Sequence, residues 1–107
     1  MVDLMVDQEL DELRREFLAE SADKVREMEA SVDGGRSTES IERVTYLAHQ
    51  LKGSGGSYGF ERISSEAAEV EKAAERLLQG ENDVLERVRE HVAALRDEIE
   101  KQAKALR

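Results

Sequence analysis

Leu85-Glu86-Arg87-Val88-Arg89-Glu90-His91-Val92-Ala93-Ala94-Leu95-Arg96-Asp97-Glu98-Ile99-Glu100-Lys101-Gln102-Ala103-Lys104-Ala105-Leu106 decides the fold. Its apolar residues Leu85, Val88, Val92, Leu95, Ile99, Ala103 and Leu106 step by three or four. That spacing draws one apolar stripe along one face of an α-helix. Three earlier runs repeat the pattern. They are Ile63, Ala67, Val70, Ala74 and Leu77; Ile41, Val44, Ala48 and Leu51; and Leu10, Leu13, Phe17, Ser21, Val25, Met28 and Val32. No segment alternates apolar and polar residues long enough to suggest a strand. Proline is absent, and Ala, Glu, Leu and Arg are abundant, which favours helix throughout.

The breaks between the runs carry turn chemistry. Asp33-Gly34-Gly35-Arg36 ends the first run, and Ser37 or Thr38 can cap the second helix. Ser57-Tyr58-Gly59 ends the second, with Gly59 free to turn left-handed. Gln79-Gly80-Glu81-Asn82-Asp83 ends the third, with Gly80 as stop and Asn82 or Asp83 as cap. Helices are predicted near 7–32, 38–57, 60–79 and 83–106. Short loops make consecutive helices antiparallel. The predicted fold is therefore all-α: one domain over 1–107, an up-down-up-down four-helix bundle with a short N-terminal extension. Within that extension, Val2, Leu4, Met5 and Val6 are too apolar for a solvated tail, so they cap the core or form a surface patch. Only Phe17, Tyr46, Tyr58 and Phe60 are aromatic, so a mostly aliphatic core is expected.

Composition narrows function by exclusion. The 107 residues contain no cysteine, which removes disulfides, zinc–thiolate sites and thiol nucleophiles. The net charge of -9, from 25 acidic and 16 basic residues, repels nucleic acid and anionic membrane surfaces. No apolar run approaches the ~20 residues of a bilayer span. Acid at the N-terminus, where a secretory signal carries base, fits a cytoplasmic chain.

One stretch departs from what stability alone favours: Ala48-His49-Gln50-Leu51-Lys52-Gly53-Ser54-Gly55-Gly56-Ser57-Tyr58-Gly59-Phe60. Gly53, Gly55 and Gly56 fall inside the predicted second helix, each at about 1 kcal/mol relative to alanine. Such local conflicts mark functional positions. His49 sits at the edge of the apolar stripe. Its surface neighbours at i+3, i+4 and i+7 are Lys52, Gly53 and Gly56. One cation and two residues without side chains thus leave the imidazole open to a macromolecule. His91, in the last helix, has no such setting and reads as an ordinary surface residue. Two histidines on separate helices, without a companion Asp/His set, make a weak metal site, and none is expected.

Ala48-His49-Gln50-Leu51-Lys52-Gly53, followed by Gly59-Phe60, resembles the signature of the histidine-containing phosphotransfer (HPt) domain. It also resembles the related phosphoacceptor domain of chemotaxis histidine kinases. Phe17-Leu18-Ala19-Glu20-Ser21 resembles the family's first bundle helix, and Ile63 to Gly80 its third. The resemblance implies that His49 carries a phosphoryl group on Nε2, taken from a receiver aspartate or a kinase and passed to another receiver aspartate. It implies Lys52 as the phosphate-stabilising cation and Gln50, Gly53 and Gly56 as the docking surface. Glu71, 22 residues after His49, stands where chemotaxis-kinase relatives place a glutamate beside the histidine; as Nδ1 partner it would leave Nε2 free, and otherwise it is one more surface acid. Glu75 stands where some relatives carry a polar or basic residue, so it is expected to face solvent. Ala68 replaces a second histidine found in some chemotaxis relatives. The resemblance implies no cofactor in the chain itself, magnesium on the partner receiver, a monomer, and no catalysis of its own. Two other readings stay open: a chemotaxis-type phosphoacceptor domain, and a purely structural helical bundle.

Overall fold

The structure is a computed structural model that describes residues 2–34 and 37–106, with side chains from residue 6 onward. Four helices form, α1 (Val2–Asp33), α2 (Thr38–Ser57), α3 (Glu61–Leu78) and α4 (Leu85–Ala105), with one 3₁₀ turn at Asn82–Val84. There is no strand among the described residues. α2 packs on α1 and α3, and α4 packs on α3 and α1, which closes a ring of antiparallel neighbours. The predicted four-helix bundle is the observed fold.

The stripes meet in an aliphatic core. Val25, Met28, Val44, Leu47, Leu51, Ile63, Val70, Val88, Val92, Leu95 and Ile99 are buried. Buried Ser21 satisfies its hydroxyl by donating to the Phe17 carbonyl at 2.7 Å. Phe17, Tyr58 and Phe60 stack at one end, with ring centroids 4.8 and 5.8 Å from Phe17. Tyr46 is no part of this core and is 52% exposed.

Caps explain the α2 boundaries. Ser37 Oγ accepts from the Ser40 amide at 3.1 Å, and Gly59 turns the chain at φ 84°. Gly80 does the same after α3, at φ 97°. Neither Asn82 nor Asp83 caps α4. Both lie in the 3₁₀ turn, and the α4 N-cap, Val84, makes no side-chain cap bond. Gly35 and Arg36 of the first predicted loop, and the side chains of Val2, Leu4 and Met5, lie outside the described residues.

The expected N-terminal extension is instead helix. α1 has 32 residues, about 48 Å, whereas the other helices have 18 to 21. Arg14 Nε donates to the Tyr58 carbonyl at 3.3 Å and Arg15 Nε to the Leu106 carbonyl at 3.0 Å, which marks where the bundle ends along α1. N-terminal to that point α1 overhangs, and the molecule measures 55 × 19 × 18 Å. Leu10 and Leu13 belong to the predicted core stripe, yet they are 38% and 45% exposed because, among the described residues, no helix lies opposite them. Val6, also exposed, does not cap the core.

Candidate functional site

α2 sets the site. Ile41, Val44, Leu47, Ala48 and Leu51 face the core, which turns His49 outward and leaves its side chain 65% exposed. At about 100° per residue, Tyr46, Gly53 and Gln50 fall on one side of His49, toward α1, and Lys52 falls on the other, toward α3. The ladder between α2 and α3 then brings Glu71 up to both. His49 Nδ1 lies 2.7 Å from Glu71 Oε2, and Lys52 Nζ donates to Glu71 Oε1 at 2.7 Å. One carboxylate, 13% exposed, therefore joins the histidine and the lysine.

The charge state of Glu71 fixes the histidine tautomer. Burial pushes its pKa up, but the hydrogen bonds from Lys52 and His49 and the Lys52 charge outweigh burial, and the net shift is downward. At neutral pH the group is a carboxylate that can only accept, so the proton between it and the ring resides on Nδ1. In the neutral ring the lone pair is then on Nε2. Acid should reveal the linkage. The stabilisation from Glu71 is complete above the ordinary glutamate pKa and is lost as pH falls through its lower folded value. Glu71→Gln should thus be less stable than wild type at pH 6, and the gap should close under strongly acidic conditions. Urea melts of both proteins across that range measure it, and a gap independent of pH would contradict the ion-pair origin.

The three glycines within α2 do different things. A Cβ built on Gly53 meets nothing within 4 Å, and one on Gly56 comes no nearer than 3.8 Å, to Ser64 Oγ. These two leave bare surface beside His49. Gly55 is buried instead, at the crossing with α3. A Cβ there would lie 3.1 Å from the Ser64 amide nitrogen and 3.3 Å from Ile63 Cγ2. Its small size serves packing, so the expectation that all three glycines mark function is corrected. Ser64 Oγ donates to the Lys52 carbonyl at 2.6 Å across the same close approach.

The structure therefore brings His49, Lys52 and Glu71 together and arrays Gly53 and Gly56 on the same exposed face. Gln50 is turned along the helix, where Nε2 donates to the Tyr46 hydroxyl at 2.9 Å. Glu75 is exposed, as expected. His91 sits elsewhere, on α4, with Nδ1 3.7 Å from Glu66. Tyr46, an aromatic set off the Val44–Ala48 core register, is exposed on the same side of α2 as Gln50.

Among known proteins, the Hpt domain family matches residues 12–102. No curated protein and no solved structure gives a significant match. The family match runs from the bundle end of α1 into α4 and takes in the whole His49–Lys52–Glu71 cluster, so the chain belongs to the Hpt domain family, the histidine phosphotransfer carriers of two-component signalling.

Proposed function

We propose that this chain is a phosphorelay carrier in which His49 is the acceptor, taking a phosphoryl group from a receiver aspartate or a kinase and handing it to another receiver aspartate. The observation that carries the reading is the 2.7 Å contact of His49 Nδ1 with an ionised Glu71 on an otherwise exposed ring. With Nδ1 engaged by Glu71, Nε2 is the ring nitrogen left with a lone pair for chemistry. In the forward step that lone pair attacks phosphorus, an Nε2–P bond forms, and the P–O bond to the donor carboxylate breaks. The carboxylate leaves with the electron pair. The ring, now substituted on Nε2 and still protonated on Nδ1, is cationic, and Glu71 stabilises it. The second aspartate reverses the step.

Lys52 has two roles in this reading. One N–H holds Glu71. The ammonium has two further donors, which are free to meet phosphoryl oxygens one helical turn from the ring. The receiver brings magnesium and the second carboxylate, and the chain contributes no catalysis of its own. Monomeric action in the cytoplasm suits such a shuttle. A chemotaxis-type phosphoacceptor domain is the second reading, favoured by the Glu71 contact and disfavoured by Ala68. Phosphorylated receivers and an isolated kinase ATP domain, offered separately, distinguish the two by which donor labels the protein.

Gly53 supplies a further test. Gly53→Ala should raise stability by up to ~1 kcal/mol, because the backbone is helical and the new methyl meets open space. Gly53→Gln should lower transfer from a receiver about tenfold, near 1.4 kcal/mol, and leave labelling by phosphoramidate within about twofold. Equal losses with both donors would mean that Gly53 does not admit a partner.

A further inference from the structure

The exposed face of α2 is asymmetric about His49. On the α3 side Lys52 is paired with Glu71, and Lys72 and Glu75 beyond them are exposed charges. On the α1 side the residues nearest the ring are uncharged: Tyr46, Gln50 and the open position at Gly53. Tyr46 is 52% exposed, yet it is held in place. Gln50 Nε2 donates to its hydroxyl at 2.9 Å. The Arg43 guanidinium lies 5.5 Å from its ring centroid and is itself paired with Glu27 of α1. An aromatic side chain that is exposed, braced and bordered by a residue without a side chain has the make-up of an interface anchor. It offers large apolar area at little further entropic loss.

Resting on the reading of His49 as acceptor, we propose that Tyr46 anchors the docked receiver domain, which lies across the α1 side of His49 rather than the α3 side. Continuity with the phosphorylated ring names the occupant. A receiver whose aspartate reaches Nε2 must also cover the adjoining helical turn, and Tyr46 is three residues from His49. The α1 wall of this groove carries Lys24 beside Glu20, Asp23 and Glu27, and the last two are already paired with Arg26 and Arg43, so the wall is of mixed charge and the apolar ring of Tyr46 is the distinctive feature it offers a partner.

The test uses the full chain, phosphoramidate as small donor, and a panel of purified receiver domains charged with acetyl phosphate. The receiver that transfers fastest to wild type is carried forward. For Tyr46→Ala, kcat/KM for transfer from that receiver should fall about tenfold, through a raised KM with kcat little changed. Labelling by phosphoramidate should match wild type. Tyr46→Phe, which keeps the ring, should recover most of the loss. An unchanged KM in Tyr46→Ala would overturn the proposal. So would equal losses with the receiver and with phosphoramidate, since the effect would then lie in the ring chemistry. A wild-type chain that phosphoramidate labels but no receiver does would refute the anchor while sparing the acceptor. Failure of both donors to label His49 would overturn the carrier reading itself.

Discussion

His49→Gln should abolish phosphoryl transfer from receiver and small donor alike, while His91→Gln leaves both intact. The two imidazoles differ in every respect that matters to the chemistry. His49 is 65% exposed, with Nδ1 bound to Glu71 at 2.7 Å and a lysine on the same carboxylate. His91 is 32% exposed, stands 3.7 Å from Glu66, and has Ala94 and Leu95 where His49 has Lys52 and Gly53. A nucleophile needs its lone pair free, its other nitrogen committed, and room for the partner. Only His49 meets all three conditions. Glutamine keeps a polar group beside Glu71 and Lys52 and removes nothing from the core, so the loss should come without unfolding. The melting temperature should stay within a few degrees, under ~1 kcal/mol. Acid-labile label followed by gel autoradiography reads the result. Label retained by the His49→Gln variant would sink the assignment, as would its loss in His91→Gln.

How much of this was legible beforehand follows from what periodicity can encode. Steps of three and four identify the face of each helix that seeks a core, and they gave four helices in order. α2 was bounded closely because its ends are set by local chemistry, the Ser37 cap and the Gly59 turn. A stripe does not say whether another helix lies opposite it. Leu10 and Leu13 keep the register of Phe17, but α1 outlasts its neighbours, and that is a property of four lengths compared. The site divides in the same way. His49, Lys52 and Gly53 are neighbours within one helix, so spacing alone gathers them. Glu71 reaches them from α3, across a turn, and its place depends on the register of two helices. Tyr46 is local, but an aromatic residue among few invites a core reading until its exposure is seen.

The glycines give the sharpest test of that register, because adding a side chain should act oppositely two residues apart. Gly53 and Gly55 are both interior to α2, and on helix propensity alone either replacement by a larger residue should stabilise by up to ~1 kcal/mol. Gly53 has the space to realise that gain. Gly55 does not. Its missing Cβ would sit 3.1 Å from the Ser64 amide nitrogen, 3.3 Å from Ile63 Cγ2 and 3.4 Å from the Phe60 carbonyl oxygen. Two of those three atoms are backbone and cannot rotate away. The Phe60 amide also donates to the Gly55 carbonyl at 2.7 Å, so the start of α3 is tied to this point. A leucine at 55 must push α3 from α2, and overpacking of this kind costs about 1–3 kcal/mol, occasionally more. Gly55→Leu should therefore be destabilised by about 2 kcal/mol after the propensity gain, lowering the melting temperature by roughly 10 °C or more. It should also pull Glu71 out of register with His49 and slow labelling by phosphoramidate, which Gly53→Ala should not do. Thermal melts and small-donor labelling of the two variants, side by side, decide the matter. A Gly55→Leu protein as stable as wild type would mean that α2 and α3 do not meet at this crossing, and the placement of Glu71 would fall with it.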